Sequence, residues 1–426
     1  MSAFEAAKYM FQYNTSFIDN RAMIGLLRRA YNHVDIRLMD HGIRVAYIVS
    51  RLLRQRTEAN SARVRNICFL SALHDVGAYK TEEIDRIVQF ETEDIRRHSV
   101  YGYLFVKNFT PLSELAHAVL HHHTPWNILK ELDDISEDNK SIAQLIYIAD
   151  RLDIWLNMEG RPYSEFLSVI SAGRGRRYKP ELADLMMRER FSAFSAEEAE
   201  CDPVFNRMQS EITFTHEEVR SYLGMVIFSI DFRSRHTVTH TMTTASISNE
   251  LAQYLGLGPE ERNQIIVGAM LHDIGKIGIP AEILEYPGRL APRDMEIMRS
   301  HVDITEEILG RDIPKPIRRI ALRHHEKLDG SGYPHGLTAE DLTTGERIVA
   351  LADIVSALAG TRSYKGAYSK EQIITIISRM RDNGLIDAGL VNCMITHYDT
   401  IMSRTLAQCQ PVMDIYENLQ AEYSLL

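Results

Sequence analysis

The chain has 426 residues, 45% apolar and 25% charged, with a formal net charge of −10; the length predicts two domains rather than one core. No run of Lys and Arg offers the basic surface that a nucleic-acid polymer needs, although a small anion held by local cations is still allowed. Cys68, Cys201, Cys393 and Cys409 form no C-x-x-C pair, and no apolar run approaches the ~20 residues of a membrane span, so a reduced, cytoplasmic chain with no leader and no membrane contact is expected.

In chain order, an amphipathic helical pattern opens at His41 and runs through Val45, Ile48, Val49 and Leu52. A second apolar helix leads to Ser71-Ala-Leu-His74-Asp75-Val-Gly77. His98, His121-His122 and Ala149-Asp150 follow, then Tyr163-Ser-Glu-Phe-Leu-Ser-Val-Ile-Ser171. After an acidic stretch near Phe194 to Asp202 the series begins again. His240 opens a helix through Met242, Ala245, Ala252 and Leu255, and Ala269-Met-Leu-His272-Asp273-Ile-Gly275 comes next. His301, His324-His325, Ala352-Asp353 and Tyr368-Ser-Lys-Glu-Gln-Ile-Ile-Thr-Ile-Ile-Ser378 complete it. Partners are offset by 199 at the first histidine, 198 at the His-Asp pair and 203 at each later ligand position. The chain thus reads as two copies of one unit: residues 1–195, a connector at 196–219, and residues 220–426. Period-2 alternation is absent, so both copies are expected to be all-α.

His240, His272, Asp273, His301, His324, His325 and Asp353 mix imidazole with carboxylate, a donor set suited to iron, manganese or zinc, and no cysteine accompanies them. Seven ligands are too many for one ion and about right for two, with Asp273 placed to bridge. Ions ~3.5–4 Å apart make a phosphoryl-transfer site. Lys276, nearly one helical turn after Asp273, is expected to contact a phosphate oxygen or the leaving group. A lone His-Asp pair would be weak. His33, His117, His216, His335 and His397 are read as ordinary histidines.

Leu271-His-Asp-Ile-Gly-Lys-Ile-Gly-Ile-Pro280 and His324-His-Glu-Lys-Leu-Asp-Gly-Ser-Gly-Tyr-Pro334 resemble the two defining motifs of the HD-GYP family, and the likeness covers residues 230–400. The resemblance implies two tandem helical HD-superfamily domains. It further implies two or three divalent ions, commonly iron or manganese, and hydrolysis of cyclic di-GMP to the linear dinucleotide or GMP; some relatives select 3′,3′-cyclic GMP-AMP. Carried over by position, the seven residues above are the ligands, and Asp273 and Lys276 are the catalytic pair. Lys276, Gly332, Tyr333, Pro334, Arg362 and Lys365 contact substrate. Members with a third ion carry a glutamate where this chain has His236, so a third ion is allowed but not implied. Ser-x-Arg-Val after the first ligand is replaced by Thr241-Met-Thr-Thr-Ala245.

The first copy resembles the same family with His41, His74, Asp75, His98, His121, His122 and Asp150 as its ligand set. It lacks the lysine, since Ala78 takes that place, and Leu129-Lys-Glu131 replaces the GYP loop. Arg37 stands at the position of His236. A second dinuclear site is expected there, serving as a redox or ligand sensor, with His123 and Trp126 near enough to add to it or close it. A decayed packing partner is the alternative. For the whole chain, a diiron oxygenase, a silent cyclic dinucleotide receptor and a generic nucleotide phosphohydrolase are the competing readings. A homodimer is compatible with the sequence.

Overall fold

The computed structural model describes residues 13–34, 36–55, 61–78, 95–210, 213–233, 238–286, 288–360 and 368–425. The described residues are all-α, with isolated bridges at Arg174–Tyr178 and Asp329–Thr338 in place of strands. No described helix is long and apolar enough to cross a membrane. The chain divides into two compact units, Tyr31–Glu218 with Ala421–Leu426, and Val219–Gln420 with Met1–Ala30.

In the first unit five helices frame the cluster of histidines and aspartates: α1 (Ile36–Arg54), α2 (Ser61–Ala72), α3 (Ile95–Phe109), α4 (Ala116–Leu120) and α5 (Glu137–Asp153). α1 packs on α2 and α5, and α4 packs on α3 and α5. Val45, Ile48, Val49 and Leu52 are buried at the spacing the sequence predicts. Ser136 starts α5 by accepting the amide hydrogen of Asn139. Residues 421–425 belong to this unit. Tyr423 stacks on Tyr101 at 4.5 Å, and Lys107 pairs with Glu422 at 2.6 Å. The stretch expected as a connector is itself structured, containing helices Ala196–Glu200 and Pro203–Ser210 with Phe205 buried.

The second unit repeats the plan with α6 (Val238–Tyr254), α7 (Pro259–Leu271), α8 (His301–Leu309), α9 (Lys315–Leu322) and α10 (Thr344–Ala359). α6 packs on α7 and α10, and α9 packs on α7, α8 and α10. A capping box between Thr343 and Glu346 starts α10, the helix that carries Asp353. Arg29, near the N-terminus, ties into this unit through Asp312 at 3.0 Å and the Ile308 carbonyl at 2.7 Å.

One glycine recurs because the packing requires it. A Cβ at Gly77 would lie 2.1 Å from the His98 carbonyl oxygen, and a Cβ at Gly275 would lie 2.0 Å from that of His301. The turn carrying each His-Asp pair can approach the next ligand helix only without a side chain there.

Candidate metal centres

In the C-terminal copy α7 ends at Leu271, and His272 and Asp273 lie in the turn beyond it. A helix end leaves carbonyls without partners. The His272 ring takes one, its Nδ1–H donating to the Ala269 carbonyl at 2.6 Å. His324 does the same with Ala321 at 2.7 Å, and His301 with Met298 at 2.7 Å. With the proton held on Nδ1, each Nε2 presents a lone pair to the centre of the unit.

Those lone pairs gather around Asp273 in two groups. Asp273 Oδ2 is 3.2 Å from His272 Nε2 and 3.5 Å from His240 Nε2, and Asp353 Oδ1 is 3.0 Å from the latter. On the other side Asp273 Oδ1 lies 3.5 Å from His301 Nε2 and 3.9 Å from His324 Nε2, with His325 completing that group. One carboxylate therefore stands between two groups of donor atoms. The buried Nε2 of His272 and Oδ1 of Asp273 have no hydrogen-bond partner among the described residues. Such a cost is removed by a cation, so the donors fit a divalent metal at each position.

Electrostatics act unevenly on the donor set. Burial drives His325 down to about 3 and holds His324 well below the usual imidazole range. Burial alone would raise Asp273, but His272 and Lys276 outweigh it and keep the carboxyl well below its ordinary value. Asp353 is held low in the same way by His240. His272 moves the other way: burial would lower it, but the neighbouring Asp273 carboxylate outweighs burial and raises it above the usual imidazole value.

Lys276 Nζ donates to Asp273 Oδ2 at 2.6 Å. Beside the second group, Tyr333 stacks on His325 at 4.6 Å, and the Arg299 guanidinium lies 4.7 Å from the centre of the Tyr333 ring. Buried Glu326 shapes this loop by accepting the backbone amides of His335 at 2.8 Å and Leu337 at 2.9 Å. Gly332 is required, because a Cβ would come within 2.4 Å of Glu326 Cα and Lys327 N. Pro334 follows Tyr333 through a cis peptide.

The N-terminal copy builds the same arrangement. His74 Nδ1–H donates to the Ser71 carbonyl at 2.7 Å and His122 Nδ1–H to the Val119 carbonyl at 2.5 Å. Asp75 Oδ2 is 3.4 Å from His74 and 3.9 Å from His41, while Oδ1 is 3.4 Å from His98 and 3.3 Å from His122. Asp150 Oδ1 is 3.2 Å from His41 Nε2. Among the described residues, buried Nε2 of His41 and His74 and Oδ1 of Asp75 and Asp150 again have no hydrogen-bond partner, so this donor set fits metal as well.

One expected ligand is displaced. The residue grouped with Asp75, His98 and His122 is His123, whose Nε2 lies 3.2 Å from His98 Nε2. His121 turns instead to the Thr124 hydroxyl at 3.3 Å. His122 and His123 thus match His324 and His325, an offset of 202 rather than the 203 expected. The cause is the end of α4 at Leu120, which makes His122 the ring able to reach a free carbonyl three residues back.

His236, Arg362 and Lys365 lie outside the described residues, as does the side chain of Arg37. Several neighbours have no signal in the residue pattern: Asp153 on His41, Ser356 on His240, Arg151 on Asp150 and Arg299 on Tyr333. Glu326 stands inside the motif directly after the histidine pair, but its role is visible only from its hydrogen bonds.

Comparison with known proteins agrees with this geometry. Residues 225–390 and residues 38–155 each match an HD domain family. The chain is 27% identical over 405 residues to the 3′3′-cGAMP-specific phosphodiesterase 1 of Vibrio cholerae, covering 90% of this chain and 92% of that protein. It is 40% identical over 159 residues to a cyclic di-GMP phosphodiesterase of Thermotoga maritima, covering 36% of this chain and 42% of that protein. A cyclic di-GMP phosphodiesterase response regulator of Xanthomonas campestris is 34% identical over 192 residues, 44% of this chain and 50% of its own length. The chain spans half or less of the last two. The crystal structure of a cyclic GMP-AMP-specific phosphodiesterase of V. cholerae superposes with a TM-score of 0.53 at 19% identity over 89% of this chain and 97% of that one, a likeness of fold. The chain carries two tandem HD domains and is a homologue of the HD-GYP cyclic dinucleotide phosphodiesterases.

Proposed function

We propose that the C-terminal copy is a metal-dependent phosphodiesterase that hydrolyses a cyclic dinucleotide, cyclic di-GMP in the first instance, to the linear dinucleotide or to GMP. The observation that carries this reading is a carboxylate, Asp273, set between two groups of imidazoles, with Lys276 on one of its oxygens. His240, His272, Asp273 and Asp353 would hold one ion and Asp273, His301, His324 and His325 the other. Iron or manganese suits that donor set. A pair of such ions supplies Lewis acidity toward phosphate oxygens and activates water near neutral pH.

The chain's own residues do the rest. Lys276 holds Asp273 charged and brings an ammonium to the edge of the site, where a phosphate oxygen or leaving alkoxide would lie. Tyr333, pinned between His325 and Arg299, walls the second position with an aromatic face suited to a nucleobase or ribose. Burial lowers the Lys327 ammonium below its ordinary value, with Asp353 opposing that shift.

A second reading, 3′,3′-cyclic GMP-AMP as substrate, is favoured by one observation. The relative matched along nine-tenths of this chain bears that specificity in its name. The test is anaerobic reconstitution with iron or manganese, then assay against both dinucleotides with products resolved chromatographically and Asp273→Ala in parallel. Turnover of either that vanishes in the variant supports the phosphodiesterase, and the ratio of rates chooses the substrate. Binding without turnover by fully metallated protein would mean a receptor, and neither would overturn the reading.

A further inference from the structure

The two copies differ most at the last aspartate. In the C-terminal copy, Asp353 Oδ2 lies 3.8 Å from His325 Nδ1, and no described lysine or arginine forms an ion pair with this carboxylate. In the N-terminal copy Asp150 Oδ2 accepts two hydrogen bonds from Arg151, at 2.9 Å from Nε and 2.7 Å from the terminal nitrogen. The residue corresponding to Arg151 is Ile354, which has no charge to offer. A guanidinium fixed in that fork uses the directions in which the oxygen would otherwise face an incoming ligand.

The surroundings close in parallel. The His41 side chain is 5% exposed against 14% for His240, Asp150 0% against 12% for Asp353, and His123 13% against 25% for His325. Behind His41, Nδ1–H donates to Asp153 at 2.7 Å. Arg44 at 2.7 and 2.9 Å and Asn157 at 2.6 Å hold that carboxylate in turn. The corresponding neighbour of His240 is the Ser356 hydroxyl, at 3.0 Å. A carboxylate behind a ligating imidazole fixes the ring and strengthens it as a donor, an effect worth about 10–100-fold in metal affinity. Catalytic metal sites keep a position open, and structural sites do not.

We propose that the N-terminal cluster is a closed, retentive metal site, sealed by Arg151 and stiffened by Asp153, that holds its ion without admitting a phosphate ester. This rests on the reading of both clusters as metal centres. The test counts metal by mass spectrometry in full-length protein loaded with manganese and then exposed to excess EDTA. The His272→Ala, Asp273→Ala protein leaves the N-terminal cluster alone to hold ions, and the His74→Ala, Asp75→Ala protein leaves the C-terminal one. Ion loss at least about ten-fold slower from the first protein is expected. Adding Arg151→Ile to it is expected to bring the rate toward that of the second. Removing a buried guanidinium can unfold a protein, so the first comparison, which leaves Arg151 in place, decides if that variant does not fold. Equal loss rates with ions bound would overturn the closure. Uptake only after Arg151→Ile would overturn it differently, by showing that the guanidinium stands in for the ion. Absence of manganese from the N-terminal cluster in every variant would overturn the metal reading itself.

Discussion

In each copy a carboxylate from a His-Asp pair lies between two groups of imidazoles, and corresponding distances agree to within about half an ångström. The groups behind and beside those ligands do not agree. Lys276 stands on Asp273, whereas buried Ala78 occupies that place in the first copy and Arg151 grips Asp150 instead. His240 leans on a hydroxyl and His41 on a carboxylate held by Arg44. The contrast teaches that the donor set determines whether ions can bind, while access and charge among the neighbours determine whether a substrate phosphate can reach them.

The sharpest break of that comparison is at the aspartates of the two His-Asp pairs. Asp273→Ala is expected to abolish turnover, by at least about 10³-fold, with loss of ions from the second copy. Asp75→Ala should leave kcat within about three-fold while removing ions from the first, since Ala78 supplies no lysine there. Steady-state kinetics and metal analysis on the same preparations check both halves. Next in size, Lys276→Ala should lower kcat by about 10²-fold with metal content unchanged. Equal losses of metal and rate would instead make Lys276 a support for Asp273.

A smaller effect tests the histidine triplet. His123→Ala should weaken metal binding in the first copy by about 10-fold or more, and His121→Ala should not change it, because only His123 joins the cluster. Competition with a fluorescent chelator reads the difference. The smallest change is expected at the loop unique to the second copy. Glu326→Gln keeps one acceptor for the amides of His335 and Leu337 but loses the charge, costing about 1–2 kcal/mol of loop order. KM should rise several-fold with kcat nearly constant, and a fall in kcat alone would place Glu326 in the chemistry instead.

The duplication, the all-helical class and thirteen of the fourteen clustered histidines and aspartates were legible in the residues, because ligand chemistry tolerates so few side-chain types. The exception, His123 for His121, shows where that legibility stops. Three consecutive histidines are chemically equal, and only the end of α4 and the carbonyl of Val119 distinguish them. Asp153, Arg44 and Arg151 were silent for a related reason: charged residues on a helix read as solvated until packing buries them beside a ligand.

By itself, then, the sequence determined two helical copies, each with a His-Asp centre, and a lysine and a GYP loop in the second only. Those features are written in residue type and local spacing. Tertiary structure decided which two histidines of a triplet turn inward, that Glu326 folds the loop behind Tyr333, and that Arg151 caps the last aspartate of the first copy. Each of these depends on a partner distant in the chain or on where a helix stops, and such geometry appears only when the helices are packed together.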